Sequence, residues 1–180
     1  MTISSNPTDP INPANPGPEV VYRLMDSGGE ALTAIDEAIS HAQHEIRIFD
    51  VSAQTLRARG FGHPERIESL KQLLLANRSH RLQIALHETI GIERELARLM
   101  GLLTLFSGQI AIHRTTGVAR EAKDVMIVVD TAHFWRKPYF DHPRSVLTLH
   151  DVNAAQPFID RFEQIWESTE LAVTGSTAGL

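Results

Sequence analysis

The residues of this chain best suited to chemistry gather in its second half. Lys123 and Asp130 bracket the apolar run VMIVV, and Arg136 and Lys137 follow the aromatic pair Phe134 and Trp135. His113 and Arg114 stand upstream, and His133 lies between the two groups. Ammonium and guanidinium groups neutralise phosphoryl oxygens, and a nearby imidazole serves as nucleophile or as general acid and base. Handling of a phosphate ester or another anion is therefore the first chemistry to weigh. The simpler alternative is a set of solvated strand ends, where charged side chains are common.

Two features bear on nucleic acid. Arg114, Arg136 and Lys137, interleaved with Trp135 and Tyr139, would suit phosphate binding with base stacking. Yet from Ile110 to His150 six basic residues meet four acidic ones, a net of +2 with histidines neutral, too little for a strong electrostatic patch. Strand alternation instead places one of Phe134 and Trp135 in the core and leaves the other, with Tyr139, for an interface.

Nine histidines raise the question of a metal, above all His133, His142 and His150 with Asp130 and Asp141. Their spacings match neither His-x3-His nor HExxH, so they are expected to be scattered over the surface, with no metal and no cofactor. No cysteine is present, which removes disulfides, thiolate zinc sites and cysteine nucleophiles together. TTG and SGGE are turn signals, and no GxxxxGK[ST] phosphate loop occurs.

The elements that must position these residues follow from patterning. With 180 residues, 42% hydrophobic, the chain can bury one sizeable core. Residues 1–18 hold five prolines (Pro7, Pro10, Pro13, Pro16, Pro18) and little to bury, so a disordered leader is expected. Residues 171–180 read as a flexible small-residue tail, leaving 19–170 as the folded domain. The first residues show neither a basic n-region nor an apolar h-region, and no apolar run is long enough to cross a bilayer. A net charge of -5 argues against general attraction to anionic membranes. A cytoplasmic protein without membrane partners is the expectation.

Ser27 caps a helix to about His41, with Leu32, Ile35 and Ile39 on one face. EIRIFDV reads as a strand. Pro64 opens a second helix with Ile67, Leu70 and Leu74 inward. RLQIAL is the next strand, followed by a helix carrying Ile92, Leu96, Leu99 and Leu103, then the short strand QIAIH. VMIVVD, HFWRK and SVLTLHD supply three strands, and a last helix runs from Asn153 or Ala154 to about Ser168 with Phe158, Phe162, Ile165 and Trp166 inward. This alternation predicts an α/β fold, a mixed β-sheet flanked by helices on both faces. The unbroken apolar VMIVV fits a central strand covered on both sides.

In this order the chain resembles one half of a phospholipase D-like fold. ALTAIDEAISHAQHEIRIFD resembles that superfamily's first helix and strand, RIESLKQLLLANRSHRLQIAL its second pair, KDVMIVVDTAHFWRKP its signature strand and hairpin, and SVLTLHDVNAAQPFIDRFEQIWEST its last strand and helix. An unrelated three-layer α/β domain is the alternative. The resemblance implies a signature of His-x-Lys, four residues, then Asp. With Asp130 as the aspartate, Lys123 takes the histidine position and Val125 the lysine position. With Lys123 as the lysine, Glu121 takes the histidine position and Val128 that of the aspartate. Neither register supplies the nucleophile. The Gly-Ser-x-Asn pattern and the later glutamate of active members also find no match in Arg136–Phe140 or DHPRSVL.

The resemblance therefore implies a domain without catalytic residues. Its remnant cleft would collect Lys123, Asp130, Arg114, Arg136, Lys137, His113 and His133. It would act as a homodimer across Trp135, Phe134 and Tyr139, or by binding a protein partner, since similar domains occur beside acetyltransferase-like domains. Phosphate or nucleic-acid binding at the remnant cleft and a residual phosphodiesterase or nuclease built from His113, Lys123, Asp130 and His133 are the alternatives.

Overall fold

Ser27 starts the first helix as expected. Its side chain accepts from the Glu30 backbone N–H while the Glu30 carboxylate accepts from the Ser27 N–H, a reciprocal capping box. In the computed structural model, which describes residues 17–175, this helix α1 (Gly28–Ser40) follows β1 (Val21–Met25). The chain continues as β2 (Glu45–Ser52), α2 (Ala53–Leu56) with a π-helical turn (Arg57–Phe61), α3 (Pro64–Ala76), β3 (Arg81–Glu88), α4 (Ile92–Glu95) and α5 (Ala97–Leu105). Then come β4 (Ile110–Thr115), a 3-10 turn (Gly117–Glu121), β5 (Val125–Val129), β6 (His133–Lys137), β7 (Ser145–Leu149), α6 (Val152–Trp166) and β8 (Thr169–Val173).

The eight strands form one mixed sheet in the order β1-β7-β6-β5-β2-β3-β4-β8. β2, β3 and β4 are parallel to one another, as helical crossovers require. The other pairings are antiparallel, with β5 against β2 in the register Ile48 to Ile127. Alternation along the strands separates two cores. Ile46, Ile48, Val125, Ile127, Trp135 and Leu147 pack under α1, α3 and α5, whereas Phe49, Met126, Val128 and Phe134 pack under α6. All five residues of β5 are buried, as its position between two helical layers demands.

Some boundaries differ from the sequence expectation. The helix expected from Ile92 to Leu103 breaks at Leu96, which is wholly buried and leaves helical geometry. Residues 171–173, expected in the tail, belong to β8, an edge strand pairing with β4. Apart from Gly17 and Pro18, the expected leader lies outside the described residues, as do residues 176–180 of the tail.

The turn after β2 is shaped by a buried cation. Gly60 adopts φ +89 inside the π-helical turn, a conformation open to glycine. The Arg66 guanidinium occupies the adjoining space and donates to Asp36 Oδ1 (2.7 Å), to Leu32 O (3.1 Å) and to the Arg59 carbonyl. This arrangement aims the Arg59 side chain back at the sheet.

Candidate functional site

Parallel β2, β3 and β4 all point their carboxyl ends to one rim of the sheet, the usual place for sites in α/β folds. Asp50, near the end of β2, is wholly buried there. Its Oδ1 accepts from the Val51 N–H (2.7 Å) and the Thr55 hydroxyl (2.9 Å), and its Oδ2 accepts from Arg59 Nε (2.6 Å). The Arg59 guanidinium lies 5.2 Å from the centre of the Trp135 ring, itself fully buried. On the same face stand Val125, Lys137 and Ser145, brought level with Asp50 by the register of β2, β5, β6 and β7. Trp135 Nε1 and Ser145 Oγ are buried and have no hydrogen-bond partner among the described residues. Lys137 Nζ donates to His142 O (2.9 Å). Burial, with the Arg59 charge beside it, holds the Lys137 ammonium below its usual range against the opposing pull of Asp50 and Asp141.

An imidazole also lies at this rim, on the α6 face. His87 spends both ring nitrogens on structure, one with Thr115 Oγ1 (2.7 Å) and one with the Ala122 carbonyl (2.7 Å). Lys123 is exposed, and its carbonyl accepts from the Phe140 N–H (2.9 Å), which folds the turn after β6 back over the start of β5. Beside these, α2, the π-helical turn, α4 and α5 enclose a groove of about 610 Å³ lined in part by Arg57, Arg94, Arg98, His63 and Glu95. Glu95 bonds Arg57 (2.9 Å) and Arg94 (3.0 Å).

The opposite rim holds a second polar cluster. Asp130, at φ +49, accepts from the backbone N–H groups of Gln43 (2.8 Å), His44 (2.9 Å) and Glu45 (2.8 Å), tying the turn after α1 to the end of β5. His133 stacks on His41 with ring centres 4.8 Å apart and meets His150 edge-on at 4.8 Å. Burial, then the charges of His41 and His150, push the His133 imidazole down to about 4 against the pull of Asp130.

Residues 27–173 match the family described as a domain of unknown function (DUF7931). The chain belongs to that family. The DUF7931 domain is similar in structure to Nuc from Salmonella typhimurium, a phospholipase D family member, at a TM-score of 0.60 and 16% identity over 87% of this chain and 100% of that one. NucT from Helicobacter pylori gives 0.59 and 14%, over 86% and 100%. TrmBL2, an archaeal chromatin protein with a novel mode of DNA binding, gives 0.58 and 16% over 84% of this chain and 54% of that one. No curated protein matches the sequence. The fold of the DUF7931 domain is thus phospholipase D-like.

That fold divides the residues expected in one cleft. Lys123, Arg114, Arg136 and Lys137 lie at the carboxyl rim, whereas Asp130 and His133 lie at the other, because β5 and β6 run the height of the sheet between them. Arg114 pairs with Glu170 on the edge strand, and Arg136 turns to the α6 face, 4.9 Å from the Phe158 ring. His113 stacks on Trp166 at 4.0 Å and bonds Thr169 Oγ1 (2.8 Å). Burial lowers its affinity for a proton.

Trp135 and Phe134, one expected in the core and the other in an interface, are both core residues because helices cover both faces of β6. Tyr139 is exposed. The expectation of scattered surface histidines fails for His41, His133 and His150, which are contributed by three distant segments. Sequence reasoning also passed over Asp50 and Arg59. The signal was an aspartate at the end of an apolar strand, with an arginine nine residues on.

Proposed function

We propose that this domain works by association, as a phospholipase D-like module without phosphodiester chemistry, and that the carboxyl rim of its sheet is the face that associates. The carrying observation is what occupies that rim. Val125, the residue aligned with the family's lysine when Asp130 is taken as its aspartate, is buried and apolar, and the space beside it is filled by Asp50, Arg59 and Trp135. An apolar side chain offers nothing to a phosphoryl oxygen, and a guanidinium bound to a buried carboxylate has its charge already answered. Around this filled cleft the loops expose large apolar side chains: Ile90 (82%), Val118 (75%), Tyr139 (54%) and Phe140 (45%). Joined into one contiguous patch, side chains of this kind mark a surface that meets another protein.

A second copy of the chain is the favoured occupant. Two copies meeting rim to rim about a two-fold axis would each bring the same residues to the contact, and would bury the four apolar side chains. Light scattering over a concentration series tests this. A dimer that dissociates in the pair Ile90→Asp, Phe140→Asp is the expected result, and a monomer at every concentration contradicts it.

The arginine groove favours a second reading, recognition of a phosphate-bearing ligand. Arg57, Arg94 and Arg98 against the single Glu95 leave a local excess of positive charge in a chain that is negative overall. Binding of a short single-stranded oligonucleotide or of inorganic phosphate at low ionic strength, lost in Arg57→Ala, Arg98→Ala, supports this reading. Absence of binding there removes it.

A further inference from the structure

Three imidazoles meet at the amino end of β2, at the opposite edge of the sheet from its carboxyl rim. His41 ends α1, His133 opens β6 and His150 follows β7. Each offers a ring nitrogen, and these atoms all lie within 4.8 Å of one another. The geometry points to a site for a divalent transition metal of the zinc, nickel or copper kind, held by His41, His133 and His150.

The donor set selects the class of ion. Neutral imidazoles without thiolate or clustered carboxylates suit these borderline cations and disfavour calcium and magnesium, which take oxygen ligands. Three protein ligands leave a fourth position for water. Access is available, because His133 is buried but His41 and His150 are half-exposed.

The supports of the cluster are in place. Asp130 grips the backbone of Gln43, His44 and Glu45, so the turn just after His41 is fixed to the turn that leads into His133. Its carboxylate also places a negative charge near enough to act on the His133 ring. His150 adopts φ +61, a left-handed conformation that non-glycine residues take at a cost. That backbone brings its ring against both other imidazoles, at centre distances of 4.7 Å and 4.8 Å.

Two adjustments accompany binding. Metal–nitrogen bonds of about 2.05 Å in a tetrahedral site set the nitrogens about 3.3 Å apart, so the rings must draw in by up to about 1.5 Å. Side-chain rotation of the two half-exposed histidines is the movement that binding requires. The His150 N–H donates to His133 Nδ1 (3.2 Å), which leaves the proton of the neutral His133 ring on Nε2. Coordination through Nε2 shifts that proton to Nδ1 and gives up this hydrogen bond, whereas coordination through Nδ1 replaces it.

Isothermal titration of the full chain, stripped with a chelator and then titrated with zinc, nickel and copper ions, tests the assignment. The expected result is one ion per chain, weakened about tenfold or more in His41→Gln and in His150→Gln, with circular dichroism unchanged. His63→Gln, an exposed histidine away from the cluster, should leave binding as it is. Buried His133 is a poor site for substitution, so its participation is read in the intact protein from the number of imidazole nitrogens coupled to bound copper in its electron paramagnetic resonance spectrum. Absence of stoichiometric binding, or binding that survives His41→Gln and His150→Gln together, overturns the proposal.

Discussion

Arg59 reaches back from the π-helical turn to close an ion pair with Asp50, Nε to Oδ2 2.6 Å, at a point where the carboxylate has no exposed surface. Removing one partner of such a pair leaves the other charge buried and unanswered. Arg59→Ala is expected to destabilise the fold by about 3–5 kcal/mol, measured by urea unfolding. Asp50→Asn, Arg59→Met together should lose much less, because no buried charge is left over. Equal losses in the single and double variants would mean that packing, not charge, governs the site.

Gly60 and Arg66 are fitted to each other. A Cβ built on Gly60 would lie 2.7 Å from Arg66 Nη1, and the backbone there is at φ +89. Gly60→Ala therefore meets both strain and a clash, and is expected to cost about 2 kcal/mol or more in urea unfolding. Gly101, where an added Cβ meets nothing within 4 Å, is the matched control within a helix. Gly101→Ala should be neutral or slightly stabilising.

Lys123 and Asp130 bracket the same strand but do different work. Seven residues of extended chain hold them about 23 Å apart. Asp130→Ala removes the acceptor of three backbone amides and is expected to cost about 2–3 kcal/mol. Lys123→Ala, at an exposed position, should stay within about 0.5 kcal/mol. Matching effects in the two variants would contradict this division.

His113 gives the fold a pH dependence with a fixed sign. Its folded pKa is lowered by burial, so below the ordinary value of about 6.5 the unfolded chain binds the proton more readily than the folded one. Its contribution is therefore present above that pH and is lost as pH falls towards the folded value. Urea unfolding between pH 7.5 and 5 should show falling stability, with a shallower fall in His113→Gln. His133, held at about 4, adds to the same fall, so the difference between the two proteins carries the test, and a fall equally steep in His113→Gln would rule out a neutral His113 stacked on Trp166.

Legibility in the sequence followed the range of the interaction. Ser27 with Glu30 and Pro64 act within one helical turn, and VMIVV shows its burial in every residue, so these elements could be read from local pattern. β1 (VYRLM) and β8 (TELAV) are short edge strands with exposed residues, and their pairing partners are far away in the chain. The alternation of Phe134 and Trp135 separated the two faces of β6 but could not reveal that helices cover both. The histidines at 41, 133 and 150 share no spacing, because the register of β6 with β7 and the end of α1 bring them together only in the folded chain. The remnant-cleft set divides for a related reason: an antiparallel hairpin runs from one rim of the sheet to the other and back, so Lys123 and Lys137 stand at one rim and Asp130 and His133 at the other.

Turnover of a generic phosphodiester separates a module that only associates from an enzyme. Purified protein incubated with bis-p-nitrophenyl phosphate, with chelator and with added divalent ions, is expected to release no nitrophenolate above the rate seen with Lys123→Ala or Lys137→Ala. Turnover by the wild-type chain that disappears in Lys137→Ala or His142→Ala would show that the carboxyl rim still supplies an ammonium and an imidazole for catalysis, and would contradict the account.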